Sequence, residues 1–286
     1  MLIKLLKYEI MAEWKKYAVI FGGMVFLALS LLVLNKGFLS SENYIVEVVL
    51  ELVLAAFVML CLFAFFIIFV FSTVRFYKNM FRDEGYLMNT LPCTVGQHLG
   101  AKIAATYIWS AATTLLIFIC IGIALGEPMW VSKFIEIMKG TFADIKEAGS
   151  EAMLAELEAV LMMFEHMGVY LAVSMILMPA MYQIYLNFCI AVGSLFNTYK
   201  ILMAVVTFVG VNIVSQTVTT IAMFIMGYSK YAEILDQEHI SSVDEMMPLI
   251  GFFDNIYIFT GIFCVVLYGA MLWATHYIMN KKLNLA

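Results

Sequence analysis

The chain has 286 residues, of which 64% are hydrophobic and only 13% charged, and its formal net charge is -5. Soluble domains are about half apolar and a quarter charged, so this composition excludes a water-soluble core, and with it the two soluble domains that the length alone would allow. The slight acidity points to no partner, nucleic acid included, because in a membrane protein the division of charge between the two sides matters more than its sum.

The amino end, residues 1–16, has helical spacing: Ile3, Leu6, Ile10, Trp14 and Tyr17 form one stripe, with Lys4, Lys15 and Lys16 away from it. The pattern predicts an amphipathic elbow helix lying in the membrane plane and turning into the first span. That span, 17–34, is too long for a cleaved signal peptide and lacks a small-residue exit. Further apolar runs follow at 52–74, 103–125, 169–196, 201–226 and 256–279. Each has about the 17 to 25 residues needed to cross the hydrocarbon, the fourth and fifth being slightly longer and so tilted or overhanging. None has the dyad alternation of barrel strands. The expected fold is therefore an all-α integral membrane protein with six transmembrane helices in a single domain over 1–286.

Lys and Arg divide unevenly between the sides. Lys4, Lys7, Lys15, Lys16, Arg75, Lys78, Arg82, Lys102, Lys200, Lys281 and Lys282 fall on one, and Lys36, Lys133, Lys139, Lys146 and Lys230 on the other. The richer side is read as cytoplasmic, with both termini inside. Four cysteines sit in apolar runs and Cys93 in a cytoplasmic loop, so all five read as reduced packing residues.

Between spans two and three, residues 75–102 carry Arg75, Lys78 and Arg82 on one helical face, then turns at Gly85 and Pro92. The second span should continue as a stalk into the cytoplasm, and Thr94 with Gln97 should form a capping box at the start of the third. A loop rich in aromatic and charged residues, held between two rigid helices, suits docking of another protein or is an ordinary interfacial loop with snorkelling cations. The outer segment 127–167 repeats helical spacing twice, through Val131, Phe134, Ile135, Met138, Phe142 and Ile145 and through Leu154, Leu157, Leu161 and Phe164, with Gly149-Ser150 as the break. Two short amphipathic outer helices are expected. The later outer loop, 227–255, holds Asp236, Glu238, His239, Asp244 and Glu245 at spacings that match no metal-ligand pattern.

Inside the spans as drawn there is no Asp, Glu, Lys or Arg, which argues against a self-powered ion-coupled carrier. Amides are present instead. Gln183 and Asn187 lie four apart beyond Pro179 in the fourth span, and Asn212, Gln216 and Thr219 share a face of the fifth. The short 197–200 connection makes these spans antiparallel neighbours, with both amide stripes pointing inward for interhelical hydrogen bonds or for a substrate path. The chain lacks phosphate-loop, nucleophile-elbow, zinc-protease and paired-cysteine motifs, so it is not expected to be an enzyme or to hold a metal or cofactor.

The run Phe76-Tyr77-Lys78-Asn79, then Asp83-Glu84-Gly85-Tyr86-Leu87, Thr90-Leu91-Pro92 and Lys102, with the amino-terminal Leu6-Lys7-Tyr8-Glu9, resembles the permease subunits of type-two ATP-binding-cassette transporters of the Gram-positive gut-bacterial type. The resemblance implies that the loop holds a coupling helix docked on a separate ATPase subunit, with Asp83, Glu84, Tyr86 and Leu87 at that contact. It also implies that ATP is hydrolysed by the partner, and that two permease chains, identical or different, pair in a bacterial inner membrane. One departure is the large outer segment after the third span, where the family often places small outer helices before the sixth. The expected function is the membrane-spanning half of an ATP-driven exporter; the 22 Met and 23 Phe suit an apolar or amphipathic substrate or plain helix packing. A membrane assembly or signalling partner using the same loop as a dock is the alternative.

Overall fold

The computed structural model describes residues 2–38, 44–82, 93–124, 140, 151–196, 198–235 and 243–281. They form six α-helices: α1 Leu2–Phe38, α2 Tyr44–Phe81, α3 Val95–Ala124, α4 Glu151–Gly193, α5 Lys200–Leu235 and α6 Val243–Lys281. No strand occurs among the described residues. All six helices are long and apolar enough to cross a membrane. Helix is the form such segments must take, since hydrocarbon offers no partner to a free backbone N–H or C=O.

With 30 to 43 residues each, the helices reach about 45 to 65 Å and so exceed the hydrocarbon thickness. The excess changes three expectations. First, α1 runs as one helix from Leu2 through the first span, so residues 1–16 are not an element separate from it. Second, the stripe Leu154 to Phe164 belongs to the first turns of α4 and is not a free-standing outer helix; with no Gly or Pro from Glu151 to Met167, the sequence gives it no place to stop there. The other outer stripe, Val131 to Ile145, lies outside the described residues. Third, α5 and α6 extend into the segment read as an outer loop, to Leu235 and back to Val243. The expected stalk is present: α2 continues past Arg75 to Phe81.

The chain divides into two compact units, Met1–Ile135 with Asn284–Ala286, and Glu136–Leu283. In the first, α1 packs on α3 and α2, and α2 packs on α3. Its apolar core is built from Met24, Ala28, Leu31, Phe57, Ala64 and Cys120. Asn35 donates to the last carbonyl of α3, Ala124 O, at 3.0 Å, which satisfies one of the four acceptors a helix leaves open at its end.

In the second unit α4 packs on α6 and α5, and α5 packs on α6. Tyr185, Cys189 and Met271 form its core with Phe208, Val211, Leu267 and Tyr268 around them. The α4–α5 connection is as tight as its length predicts. The fourth helix ends at Gly193, three residues before the apolar run does, and the chain turns through Ser194 N–Ile190 O and Leu195 N–Val192 O hydrogen bonds. A Cβ on Gly193 would stand 2.5 Å from Lys200 O and 2.8 Å from Ala204 Cβ, so only glycine allows the two backbones this approach.

Candidate functional site

Every fourth residue along one face of α3 is polar and buried: His98, Lys102, Thr106 and Ser110, followed by Thr113. Residues four apart share a helical face, so these groups form a ladder through the first unit. Opposite stand Glu9, Glu13 and Tyr17 of α1, again four apart and buried, and Ser72, Arg75 and Asn79 of α2.

Glu9 is the centre of this ladder. Its Oε1 accepts from Lys102 Nζ at 2.7 Å and its Oε2 from Arg75 Nε at 2.5 Å. The side chains of Glu9 and Lys102 are only 8% and 4% exposed, and that of Arg75 is 27% exposed. Removing such charges from water costs several kcal/mol each, and here a carboxylate with a cation on each oxygen offsets that cost through short charge-assisted bonds.

One turn further in, Tyr17 donates to Glu13 Oε2 at 3.0 Å. At the same level the hydroxyls of Ser72 and Thr106 lie 2.5 Å apart. Thr106 gives its proton to Lys102 O at 3.0 Å, so Ser72 is the donor between them. The Tyr17 ring then packs on Trp109 at 4.6 Å between centroids, and beyond this point the ladder gives way to the apolar core. Ser110 and Thr113 bond back to the carbonyls of Tyr107 and Trp109 at 2.8 Å each, which keeps hydroxyls satisfied without a cross-helix partner.

This cluster was not among the expected sites. Reading the amino end by its apolar stripe turns Ile3 and Trp14 toward the membrane, and they are 81% and 50% exposed; it says nothing of Glu9 and Glu13, which face in. The signal existed in the four-residue spacings Glu9-Glu13-Tyr17 and His98-Lys102-Thr106-Ser110. Glu9, Phe76, Asn79 and Lys102, four of the residues that carry the family resemblance, are all buried in this unit.

The cluster stands at the foot of the 75–102 segment. Arg75 marks the root of its outgoing leg on α2 and Lys102 the root of the returning leg on α3. The capping box closes the return: Gln97 N donates to Thr94 Oγ1 at 3.3 Å and Thr94 N to Gln97 Oε1 at 3.2 Å, as the sequence predicts. Asp83, Glu84, Tyr86 and Leu87 lie outside the described residues.

Of the four amides, Gln183 and Asn187 are fully buried on α4 and joined to each other, Gln183 Nε2 donating to Asn187 Oδ1 at 2.9 Å. The link from α4 to α5 runs through Tyr185 instead. Its hydroxyl donates to Phe208 O, and Asn212 donates to that hydroxyl and, at 2.9 Å, to Phe208 O. Asn212 and Gln216 are themselves exposed, whereas Gln183 and Asn187 are buried. Among the described residues no group of acidic, His and Cys side chains could hold a metal ion.

Compared with protein-family models, curated proteins and solved structures, the chain matches none.

Proposed function

We propose that this chain is the membrane-spanning half of an ATP-driven exporter of apolar or amphipathic substrates, working with a second permease chain and with separate ATPase subunits that bind and hydrolyse the ATP. The observation that carries the reading is the double attachment of Glu9. One buried carboxylate on α1 holds Arg75 and Lys102, the two roots of the segment whose residues Asp83, Glu84, Tyr86 and Leu87 are proposed to meet the ATPase. A push on that loop is then delivered to three helices together. An ATPase can drive the bundle between two states only if it binds them unequally, and rigid roots are what turn a local contact into such a difference.

The reading is supported further by the six long apolar helices and by a returning leg that is capped immediately after the loop. The test is to look for a phosphate-loop ATPase encoded in an adjacent reading frame, whose absence would favour the alternative, to co-purify the two, and to measure substrate-stimulated hydrolysis and transport in proteoliposomes. Glu84→Ala should weaken association or uncouple hydrolysis from export, because truncating one partner of a docked charge costs roughly 2 to 5 kcal/mol. Glu42→Ala should do neither. Wild-type association and coupling in a variant changed at Glu84, Tyr86 and Leu87 together would refute the exporter reading and favour a non-transporting assembly or signalling role.

A further inference from the structure

The burial of Glu9 and Glu13 has an electrostatic consequence at the surface. These are the only acids among the described residues at this end of the first unit, and both face inward. Six cations face outward: Lys4, Lys7, Lys15 and Lys16 on α1, and Lys78 and Arg82 on α2. The sequence of residues 1–16 carries four lysines and two glutamates, a modest excess; the fold separates them so that the outward face is wholly positive.

The cations are interleaved with apolar surface. Tyr8 is 70% exposed, Met11 56% and Trp14 50%, and Lys16 lies over the Phe71 ring at 4.8 Å. Lys4, Lys7, Met11 and Lys15 share one helical face, opposite the buried glutamates. Lys15, Lys16 and Trp14 adjoin the first apolar run, where headgroups meet hydrocarbon and where amphipathic aromatic rings and snorkelling lysines settle.

We propose that this face binds anionic phospholipid headgroups, with Lys7 and Lys15 as the principal contacts and Lys4 beside them. Charge complementarity selects the occupant: exposed apolar side chains need an acyl phase, and the exposed ammonium groups of Lys4, Lys7 and Lys15, which have no ion-pair partner among the described residues, need phosphate that carries net negative charge. A zwitterionic headgroup supplies the phosphate together with its own cation. The proposal does not depend on the exporter reading.

Trp14 is a natural reporter. The full-length protein is reconstituted in phosphatidylcholine vesicles containing a minor share of phosphatidylglycerol, with bromine on the acyl chains of one lipid or of the other. The Trp14 signal is the difference between wild type and Trp14→Phe, which removes the contributions of Trp109, Trp130 and Trp273. Per lipid, brominated phosphatidylglycerol should quench Trp14 roughly fivefold more than brominated phosphatidylcholine, the factor contributed by about one lysine at a charged surface. That preference should fall toward parity in the Lys4→Gln/Lys7→Gln/Lys15→Gln variant, and toward parity in the wild type as salt is raised. If the triple variant does not insert, the wild-type salt series decides by itself. Equal quenching by both lipids, a preference that persists at high salt, or quenching by neither because protein covers Trp14 would each overturn the proposal.

Discussion

Glu9 is the residue on which the first unit turns, because a buried lysine and a half-buried arginine depend on it. Glu9→Ala would remove the one carboxylate that binds both Lys102 and Arg75. The loss should be about 3 kcal/mol, the lower part of the range for breaking a buried pair, since Arg75 keeps some access to water. Lys102→Met should cost less, because Glu9 retains Arg75 and a flexible apolar chain of similar length fills the site. Thermal unfolding of both variants in the same detergent checks the order, and equal losses would show that Glu9 does not serve both cations. The amides allow a second comparison. Asn187→Leu removes the partner of a fully buried Gln183 and should cost roughly 0.6 to 2 kcal/mol, whereas Gln216→Leu, on an exposed face, should leave stability unchanged. A stability loss from Gln216→Leu would place that residue against another subunit, and a change of substrate preference without one would mark it as part of the transport path.

Two short stretches fix how the helices are joined. Thr94→Ala removes one half of the capping box that starts α3 and should cost about 0.5 to 2 kcal/mol. Since α3 carries Lys102 less than three turns further on, the same change should loosen the root of the loop, which faster hydrogen exchange at residues 95–98 would report. Gly193→Ala is the stronger perturbation. Its methyl would meet the backbone of α5, so the α4–α5 turn must open, at roughly the 1 to 3 kcal/mol of an overpacked contact. Unfolding midpoints of this variant and of Gly210→Ala, where a Cβ meets nothing within 4 Å, test the assignment. A loss at position 210 as large as that at 193 would contradict it.

At the scale of the whole molecule, the division of Lys and Arg proposes an orientation that accessibility can check. Thiols introduced as Ser150→Cys and Ser242→Cys should react with an impermeant reagent on sealed cells, while Cys93 should react only after lysis. Labelling of Cys93 from outside would invert the topology. The six apolar helices are compatible with either orientation; what sets it is the cation asymmetry, to which the exposed face of α1 and the end of α2 contribute six of the eleven residues on the richer side.

What the sequence determined by itself was local. Apolar runs of sufficient length dictate helices in hydrocarbon, Thr94 and Gln97 lie within reach of each other's backbone, and a short connection between the fourth and fifth apolar runs forces α4 and α5 together; each depends on residues a few positions apart. The tertiary structure alone decided which face of α1 turns inward, because Glu9 meets Arg75 and Lys102 at separations of 66 and 93 residues. Helical spacing says which side chains share a face, and in water the apolar face is the one that is buried. In lipid an apolar stripe gains little by turning inward, since the surrounding tails are as apolar as the core. The inward face is then set by polar groups that need partners, and those partners lie on other helices.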